Sequence, residues 1–463
     1  MPQVLPHSLI QSLQSVNGFD EAAFIQAHVS AEKVTSIRFN PAKYSRFSKQ
    51  YSVNDLQLPI ADAVPWCPYG QYLSERPSFT FDPLFHAGLY YVQEASSMFL
   101  WQVLQQTLGS QASSLKVLDL CAAPGGKSTL LASYFKDGLV VANEVIKSRA
   151  NILVENITKW GYPNVVVTNN DPSHFQRLQN YFDVMVIDAP CSGSGLFRKD
   201  ADAISEWSEE AVVLCSQRQQ RIIADAYACL KQNGLLIYST CSYSPQEDEA
   251  ILDWMMDNFQ LSPISLQLSE EWNIIETISP EHNARGYRFY PDKVKGEGFF
   301  IAAFIKLDGE HFFAPSNKLP ALSKAEESLW LPWLYKAEQL YLFKQKETAI
   351  AIPEAWHQDV AFLQKQLYIK SAGTLLGNIK GKDIIPHPAL ALSTILSEQL
   401  TKTSFTKEQA IQYLQKKDIA IDTHTLTKGW QLAAYCGLPL GWMKVLPNRI
   451  NNYYPAEWRI LKN

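Results

Sequence analysis

Between residues 116 and 305 the chain alternates short apolar runs with longer amphipathic segments. This alternation is typical of βαβ units, in which helices join parallel strands. The predicted strands span 116–120, 139–143, 165–168, 184–187 and 235–240, and the predicted helices span 127–135, 148–160 and 217–230. A last apolar run at 299–305 follows two glycines and is expected to pair antiparallel, at or near an edge. The sequence therefore predicts an α/β fold around a mainly parallel sheet.

The length of 463 residues exceeds what one hydrophobic core usually serves, so several domains are expected. A largely polar stretch at 308–322 contains Pro315 and Pro320 and is predicted to be a linker. The predicted units are an N-terminal region at 1–110, the α/β domain at 111–307, an intermediate module at 323–400 and a C-terminal module at 401–463.

Several classes of protein are disfavoured by the bulk sequence. No run of about 18 apolar residues exists, so no membrane span is expected. The first residues lack the basic start and apolar run of a signal peptide. None of the seven cysteines has CxxC spacing, so we expect no metal site, and their odd number fits reduced thiols in a cytoplasm. We expect a cytoplasmic monomer.

The distribution of charge is uneven. A net charge of −5 argues against a nucleic-acid binder, yet residues 370–463 hold twelve Lys or Arg against six Asp or Glu. A basic segment on an acidic body is typical of a protein that contacts phosphates. A solvated surface without a partner would carry the same charge, so both interpretations stay open.

A glycine-rich turn follows the first strand of the α/β domain. The run D-L-C-A-A-P-G-G-K-S at 119–128 leaves a strand and opens a helix, which offers free N–H groups to a ligand. Gly126, Lys127 and Ser128 match the end of a P-loop, but Cys121 occupies its first glycine position. The GxGxxG of a dinucleotide loop is absent. S-adenosylmethionine remains as the ligand, and a plain turn remains the alternative.

Three carboxylates follow successive strands. Glu144 lies at the end of the second strand, where an acidic residue can accept hydrogen bonds from ribose hydroxyls. Asp171 follows the third strand and could meet an adenine amino group, and Asp188 closes the fourth. Carboxyl ends of parallel strands meet at one edge of a sheet, so these groups are expected to converge there.

Two cysteines, Cys191 and Cys241, also follow apolar strands and should lie at the same edge. A thiolate that attacks carbon 6 of cytosine makes carbon 5 able to accept a methyl group. A free thiol is only about 3% ionised at pH 7, so this chemistry needs an activated cysteine. Spacing alone does not distinguish the two thiols, and two buried structural cysteines remain the alternative.

The joint motif set resembles the RNA cytosine-5 methyltransferases of the nucleolar-protein/Sun (NSUN) family. D-A-P-C-S-G-S-G at 188–195 and S-T-C-S at 239–242 are similar to their catalytic motifs, and 119–127 is similar to their cofactor motif. The similarity covers about 30–305 and includes S-I-R-F-N-P at 36–41, Y-V-Q-E-A-S-S-M at 91–98 and R-K-D at 198–200. It implies a Rossmann-like methyltransferase core with one antiparallel strand and an N-terminal RNA-facing extension.

The resemblance also implies roles for individual residues. Cys241 would attack the base, Cys191 would assist product release, Asp188 would hold the cytosine, and Lys127 would lie near base and cofactor. The implied S-adenosylmethionine site comprises Cys121, Ala122, Ala123, Pro124, Gly125, Gly126, Lys127, Glu144, Arg149, Asp171 and Asp188.

The C-terminal third resembles a bacterial subgroup, the RsmF-like enzymes of 16S rRNA. The runs G-L-P-L-G-W at 437–442 and N-N-Y-Y-P at 451–455 are similar to their terminal PUA-like module. The implied partner is RNA, as 16S rRNA or the 30S subunit, with the target base flipped out or unpaired. The alternatives are a tRNA or 23S rRNA cytosine-5 methyltransferase, an inert ribosome-assembly factor that binds RNA, and a P-loop NTPase.

Overall fold

The computed structural model describes residues 5–30, 33–109, 113–200, 202–309, 317–381 and 383–461. The strands are β1 (Thr35–Phe39), β2 (Ile60–Ala63), β3 (Gly70–Leu73), β4 (Tyr90–Val92), β5 (Lys116–Asp119), β6 (Leu139–Asn143), β7 (Val165–Thr168), β8 (Phe182–Asp188), β9 (Leu230–Thr240), β10 (Leu261–Pro263), β11 (Ile275–Ile278), β12 (Arg285–Phe289), β13 (Phe299–Lys306), β14 (Leu340–Gln345), β15 (Thr348–Pro353), β16 (Ile369–Ala372), β17 (Thr374–Lys380), β18 (Asp383–Pro386), β19 (Lys402–Ser404), β20 (Gly429–Tyr435), β21 (Leu438–Leu446) and β22 (Arg449–Asn452).

The helices are α1 (His7–Leu13), α2 (Glu21–Val29), α3 (Pro41–Phe47), α4 (Pro83–His86), α5 (Leu100–Leu108), α6 (Gly126–Tyr134), α7 (Lys147–Trp160), α8 (Asp202–Glu206), α9 (Glu209–Ala226), α10 (Glu249–Asn258), α11 (Lys324–Trp330), α12 (His357–Gln366), α13 (Pro388–Ala391) and α14 (Lys407–Leu414). No helix in the described ranges is both long enough and apolar enough to cross a membrane.

The central sheet has five parallel strands in the order β7-β6-β5-β8-β9. Successive side chains of a strand point to opposite faces, and both faces of this sheet are covered. Leu118 packs with Met185 in one core, while Val117 packs with Val184 in the other. The predicted α/β fold around a parallel sheet is confirmed.

The β9 side of the sheet extends beyond the last parallel strand. β13 pairs antiparallel with β9, as predicted, but β12 and β11 continue the sheet on its far side, and β10 also pairs with β13. The expectation of one antiparallel strand is wrong, since β16 is a further antiparallel strand at the opposite edge. β10, β11 and β12 lie between β9 and β13 in the sequence, where no strand was predicted, whereas β16 comes from a distant part of the chain.

The segment beyond residue 323 contributes directly to the same sheet. β16 pairs antiparallel with β7 and makes the sheet ten-stranded. Val360, Phe362 and Leu363 of α12 belong to the same hydrophobic core as Leu118. This part of the intermediate segment is therefore built into the α/β core.

The N-terminal and C-terminal sheets share a separate hydrophobic core. The first sheet has the order β2-β3-β1-β4 and the last has β19-β20-β21-β22. Ile37 and Phe39 of β1 pack in one cluster with Tyr413 and Leu414 of α14 and with Leu440 of β21. The two ends of the chain consequently bury apolar surface together.

Two element boundaries differ from the prediction. α9 begins at Glu209 rather than at residue 217, because Ser208 accepts a hydrogen bond from the Ala211 N–H and acidic residues occupy the first turn. β9 begins at Leu230, where the helix was expected to end. The cap lies in a polar stretch without the apolar periodicity on which the prediction depended.

Candidate active site

The glycine-rich turn connects β5 to α6 at the carboxyl edge of the sheet. Gly125 has a φ of +117°, in the left-handed region that favours glycine. The Ala122 N–H donates to the Asn143 carbonyl over 2.8 Å, which ties the turn to the end of β6. The fully buried Asp119 carboxylate accepts the Ser128 hydroxyl over 2.6 Å. Burial raises the pKa of Asp119 to about 7.

Arg38 braces the turn from the N-terminal sheet. It is 1% exposed, and burial lowers its pKa to about 10. Its guanidinium donates to Gln93 Oε1 over 2.7 Å, to Thr129 Oγ1 over 2.6 Å and to the Gly126 carbonyl over 3.2 Å. The motifs at 36–41 and 91–98 thus meet at the start of α6, which explains why the N-terminal region and the turn belong together.

A cavity of about 530 Å³ opens beside this turn. Its size lies in the range of sites for small organic ligands. The sequence-predicted residues that line it are Cys121, Ala123, Glu144, Arg149, Asp188, Cys191 and Cys241. Among the other lining residues, Asn143, Pro172, Arg218 and Arg221 were not predicted.

The remaining predicted residues lie outside the lining. Ala122, Pro124, Gly125 and Gly126 form the turn itself, and Lys127 reaches Asp188 from α6. Asp171 caps a short 3-10 helix and accepts from the backbone N–H and hydroxyl of Ser173, and these bonds lower its pKa. Its neighbour Pro172 contributes to the cavity wall in its place.

Glu144 is held at the end of β6 with only 3% of its surface exposed. One carboxylate oxygen accepts the Ile146 N–H over 2.8 Å, and the other lies 3.5 Å from Arg149. Arg149 in turn donates to the Ala123 carbonyl over 2.8 Å. A carboxylate, a guanidinium and the turn backbone therefore meet on one wall of the cavity.

Asp188 is held by two neighbours. Lys127 Nζ lies 2.8 Å from Asp188 Oδ1, and the Ser239 hydroxyl donates to the same oxygen over 2.8 Å. No hydrogen bond from the described residues reaches Asp188 Oδ2. The side chain is 37% exposed, so Oδ2 can serve a base in the cavity.

The two sequence-predicted cysteines lie side by side as free thiols. Cys191 Sγ and Cys241 Sγ are 2.9 Å apart, in hydrogen-bond contact. That contact, together with burial, raises the pKa of Cys191 well above the ordinary value of a thiol. Cys191 therefore keeps its proton at neutral pH and can donate it toward the sulfur of Cys241.

The loops that carry the cysteines are joined by Glu247, which precedes α10. Its buried carboxylate accepts from the N–H and hydroxyl of Ser192, the hydroxyl of Ser242 and the amide of Gln219. Ser192 and Ser242 each directly follow a cysteine. Burial raises the pKa of Glu247. One carboxylate thus sets the separation of the two thiol-bearing loops.

A close backbone contact joins the same loops. The Gly195 N–H donates to the Cys241 carbonyl over 2.9 Å, and the Gly298 N–H donates to the Gly195 carbonyl over 3.1 Å. A Cβ atom at position 195 would lie 2.7 Å from the Cys241 carbonyl oxygen. This approach requires glycine.

Three family models match the chain. They are described as 16S rRNA methyltransferase RsmB/F at 106–305, the N-terminal domain of 16S rRNA methyltransferase RsmF at 5–95, and the methyltransferase RsmF PUA domain at 401–460. Ribosomal RNA small subunit methyltransferase F of Shewanella sp. strain MR-7 is 31% identical over 446 residues, covering 91% of this chain and 90% of that protein. The chain belongs to this family.

Another family member, from Shewanella baltica strain OS185, is 30% identical over 423 residues. The match covers 86% of this chain and 84% of that protein. Among solved structures, a methyltransferase homolog protein from Pyrococcus horikoshii has 28% identity and a TM-score of 0.51, covering 65% of this chain and all of that one. Membership confirms the resemblance drawn from the motifs. The protein is a methyltransferase with a Rossmann-like core of the S-adenosylmethionine-dependent class, flanked by RsmF-type N-terminal and PUA domains.

Proposed function

We propose that this protein methylates carbon 5 of a cytosine in 16S rRNA, with S-adenosylmethionine as the methyl donor. The observation that carries the proposal is the pair Cys191 and Cys241, with sulfurs 2.9 Å apart in the cavity that Glu144 also lines. The choice of 16S rRNA follows the printed names of the relatives and family models.

The cavity fits the proposed cofactor in the chemistry of its lining. Leu120, Ala123, Ile146 and Pro172 offer apolar surface for adenine, while Glu144 offers a carboxylate for ribose hydroxyls. We assign the turn at 121–127, Glu144, Arg149 and Asp188 to cofactor binding. Asp171 does not line the cavity, and we assign it an indirect part in cofactor binding, since it caps the short 3-10 helix that begins with Pro172. The cofactor, when bound, supplies the methyl group.

Cys241 is assigned as the nucleophile because it lies in the S-T-C-S run, which resembles the motif of the attacking cysteine in the NSUN family. In the proposed reaction the Cys241 sulfur bonds to carbon 6 of cytosine, which makes carbon 5 nucleophilic toward the methyl group. Asp188 Oδ2 hydrogen bonds the ring nitrogen or the exocyclic amine, while Lys127 keeps the other oxygen of Asp188 occupied.

Product release completes the proposed cycle. Loss of the carbon 5 proton restores the ring double bond and breaks the bond from sulfur to carbon 6. Cys191 assists this step, since its S–H group can return a proton to the departing Cys241 sulfur. The proton lost from carbon 5 passes to solvent, and a proton from solvent returns to Cys191, so both thiols are restored.

The test is transfer of labelled methyl groups from S-adenosylmethionine to purified 30S subunits, free 16S rRNA, 23S rRNA and tRNA. Bisulfite sequencing of ribosomal RNA from a deletion strain identifies the cytosine. Methylation of 16S rRNA that is absent from the deletion strain supports the proposal. Label in tRNA or 23S rRNA alone would change the substrate, and no transfer to any RNA would favour an inert assembly factor.

A further inference from the structure

Two arginines that the proposed mechanism does not use lie in the wall of the cavity. Arg218 and Arg221 belong to α9 and line the same cavity as Cys191 and Cys241. Residues three apart on a helix are neighbours on one face. Both side chains therefore lie on one strip of α9 that borders the cavity.

The position of α9 is fixed by its buried side. Gln219 is fully buried, donates to the Pro190 carbonyl over 3.1 Å and accepts from the Tyr238 hydroxyl over 3.0 Å. Ile222 and Ile223 pack into the core. The helix consequently holds Arg218 and Arg221 in a fixed position relative to the loop that carries Cys191.

The charges of the cavity are otherwise paired. Glu144 has Arg149 at 3.5 Å, and Asp188 has Lys127 at 2.8 Å. Arg218 and Arg221 form no ion pair and donate no hydrogen bond to any residue within the described ranges. The two guanidinium groups therefore add positive charge to a cavity whose carboxylates, Glu144 and Asp188, already have cationic partners.

We propose that Arg218 and Arg221 bind the phosphate groups that flank the target cytidine. A base placed against the two thiols brings its own backbone to the mouth of the cavity, within reach of α9. Guanidinium groups match phosphate oxygens in a bidentate geometry, which fixes position as well as charge. This inference rests on the proposed function and adds the contact that holds the flipped nucleotide in register.

The competing ligand is the cofactor. The charge of Arg221 contributes to lowering the pKa of Asp171, after the stronger effect of the Ser173 hydrogen bonds, so Arg221 lies on the side where the adenine is assigned. Arg149 already supplies a cation beside Glu144. We assign the α9 pair to RNA because Gln219 of the same helix contacts Pro190, next to Cys191, and the experiment separates the two ligands.

The experiment compares wild type with Arg218→Ala, Arg221→Ala and the double variant. The control is Arg285→Ala, because Arg285 pairs with Glu276 and opens β12, at the end of the sheet away from the cavity. Affinity for 16S rRNA is measured from low to high salt, with calorimetry of S-adenosylmethionine binding in parallel. The slope of log affinity against log salt should fall by about 0.7 for each lost contact to unpaired RNA. Cofactor affinity should stay unchanged.

A second measurement localises the contact. A synthetic RNA fragment carries the target cytidine, not yet methylated, with a neutral methylphosphonate in place of the phosphate on its 5′ or 3′ side. Neutralisation should weaken binding by wild type and by Arg285→Ala, but not by the double variant. Arg218→Lys and Arg221→Lys should restore the salt slope, while the loss of bidentate geometry should leave methylation slower than in wild type.

The outcomes are distinct. Unchanged salt slopes, or equal sensitivity of all variants to the methylphosphonate, would overturn the inference. Weakened cofactor binding with an unchanged slope would reassign the pair to the cofactor. A wild type that binds 16S rRNA but methylates no RNA would instead contradict the proposed function, and the binding measurements would still report on the arginines.

Discussion

Asn170 and Tyr368 exchange two hydrogen bonds across nearly two hundred residues of chain. Asn170 Nδ2 donates to the Tyr368 carbonyl, and the Tyr368 N–H donates to Asn170 Oδ1, both over 3.0 Å. Asn170 also accepts, through its carbonyl, a bond of 3.0 Å from Asn143, which lines the cavity. The outermost strand of the sheet is therefore connected to the cavity wall by two residues.

The first prediction concerns this connection. Asn170→Ala should destabilise the protein by about 1–3 kcal/mol, since it removes two hydrogen bonds to the backbone of Tyr368, each contributing about 0.5–1.5 kcal/mol. The Tyr368 carbonyl keeps the Asn169 N–H as a donor. It should also weaken cofactor binding, because the backbone of residue 170, which holds the Asn143 side chain, is no longer fixed by the two bonds to Tyr368. Thermal unfolding and calorimetry measure both effects. Asn258→Ala, at the exposed end of α10, is the control. If the variant loses stability but keeps full cofactor affinity, the proposed connection between β16 and the cofactor site is contradicted.

Glu144 supplies the second prediction. Glu144→Ala should weaken binding of S-adenosylmethionine far more than binding of RNA, because two ribose hydrogen bonds to a carboxylate contribute about 1.5–3 kcal/mol each. Glu144→Gln keeps the shape and should show the smaller loss. Calorimetry with the cofactor and a filter-binding assay with RNA give the comparison. Equal cofactor affinity in wild type and Glu144→Ala would remove this residue from the proposed site.

The third prediction concerns Asp119. Burial raises the pKa of this carboxyl group to about 7. An unfolded Asp titrates near about 3.9, so between these values the folded protein holds a proton that the unfolded chain has released. Stability should therefore fall as pH rises from about 4 to 7, by up to about 1.4 kcal/mol per pH unit. Asp119→Asn should remove this contribution, and the exposed Asp137→Asn should not. Urea unfolding at several pH values measures it, and parallel curves for Asp119→Asn and wild type would contradict it.

The sequence predicted the parallel sheet, the turn and seven of the residues that line the cavity. Four site residues could be predicted because each follows an apolar run and the carboxyl ends of parallel strands converge. They are Glu144, Asp188, Cys191 and Cys241. Their position required only the correct assignment of strands. The family motifs then added roles that spacing could not distinguish, such as those of the two thiols.

Other residues needed the tertiary structure. Arg218 and Arg221 were missed because α9 was predicted to start late and because a helix pattern does not say which strip faces a cavity. Glu247 was missed because its donors come from two loops and a helix. β16 has no local signal of its partner, since the sheet edge it covers lies some two hundred residues earlier in the chain.

Glu247 supplies the fourth prediction. Glu247→Ala should separate the thiol loops and reduce methylation strongly, because the hydroxyls of Ser192 and Ser242 lose their shared acceptor. Glu247→Gln keeps one oxygen and should retain more activity. Because burial raises its pKa, the ionised carboxylate costs stability above about pH 4.5, and Glu247→Gln should reduce that loss. Turnover and unfolding are measured together, with exposed Glu210→Gln as control. Normal turnover of a folded Glu247→Ala protein would refute the positioning role.

The last prediction separates the two cysteines. Cys241→Ala cannot form the bond to carbon 6, so it should neither methylate RNA nor crosslink to it. Cys191→Ala leaves the nucleophile intact but removes the S–H group that lies 2.9 Å from it. It should therefore attack, transfer the methyl group and stall as a covalent adduct with methylated RNA. A denaturing gel of each variant with 16S rRNA and S-adenosylmethionine shows the adduct as a slow band.

The contact between the sulfurs gives this test its direction. Either sulfur can donate in this contact, and the raised pKa of Cys191 favours a protonated Cys191, which can give its proton to Cys241 as that sulfur leaves carbon 6. An adduct from Cys241→Ala and none from Cys191→Ala would transfer the nucleophile role to Cys191. Two structural cysteines would leave turnover near normal in both variants. Loss of methylation in either one, with unfolding curves unchanged, therefore excludes a purely structural pair.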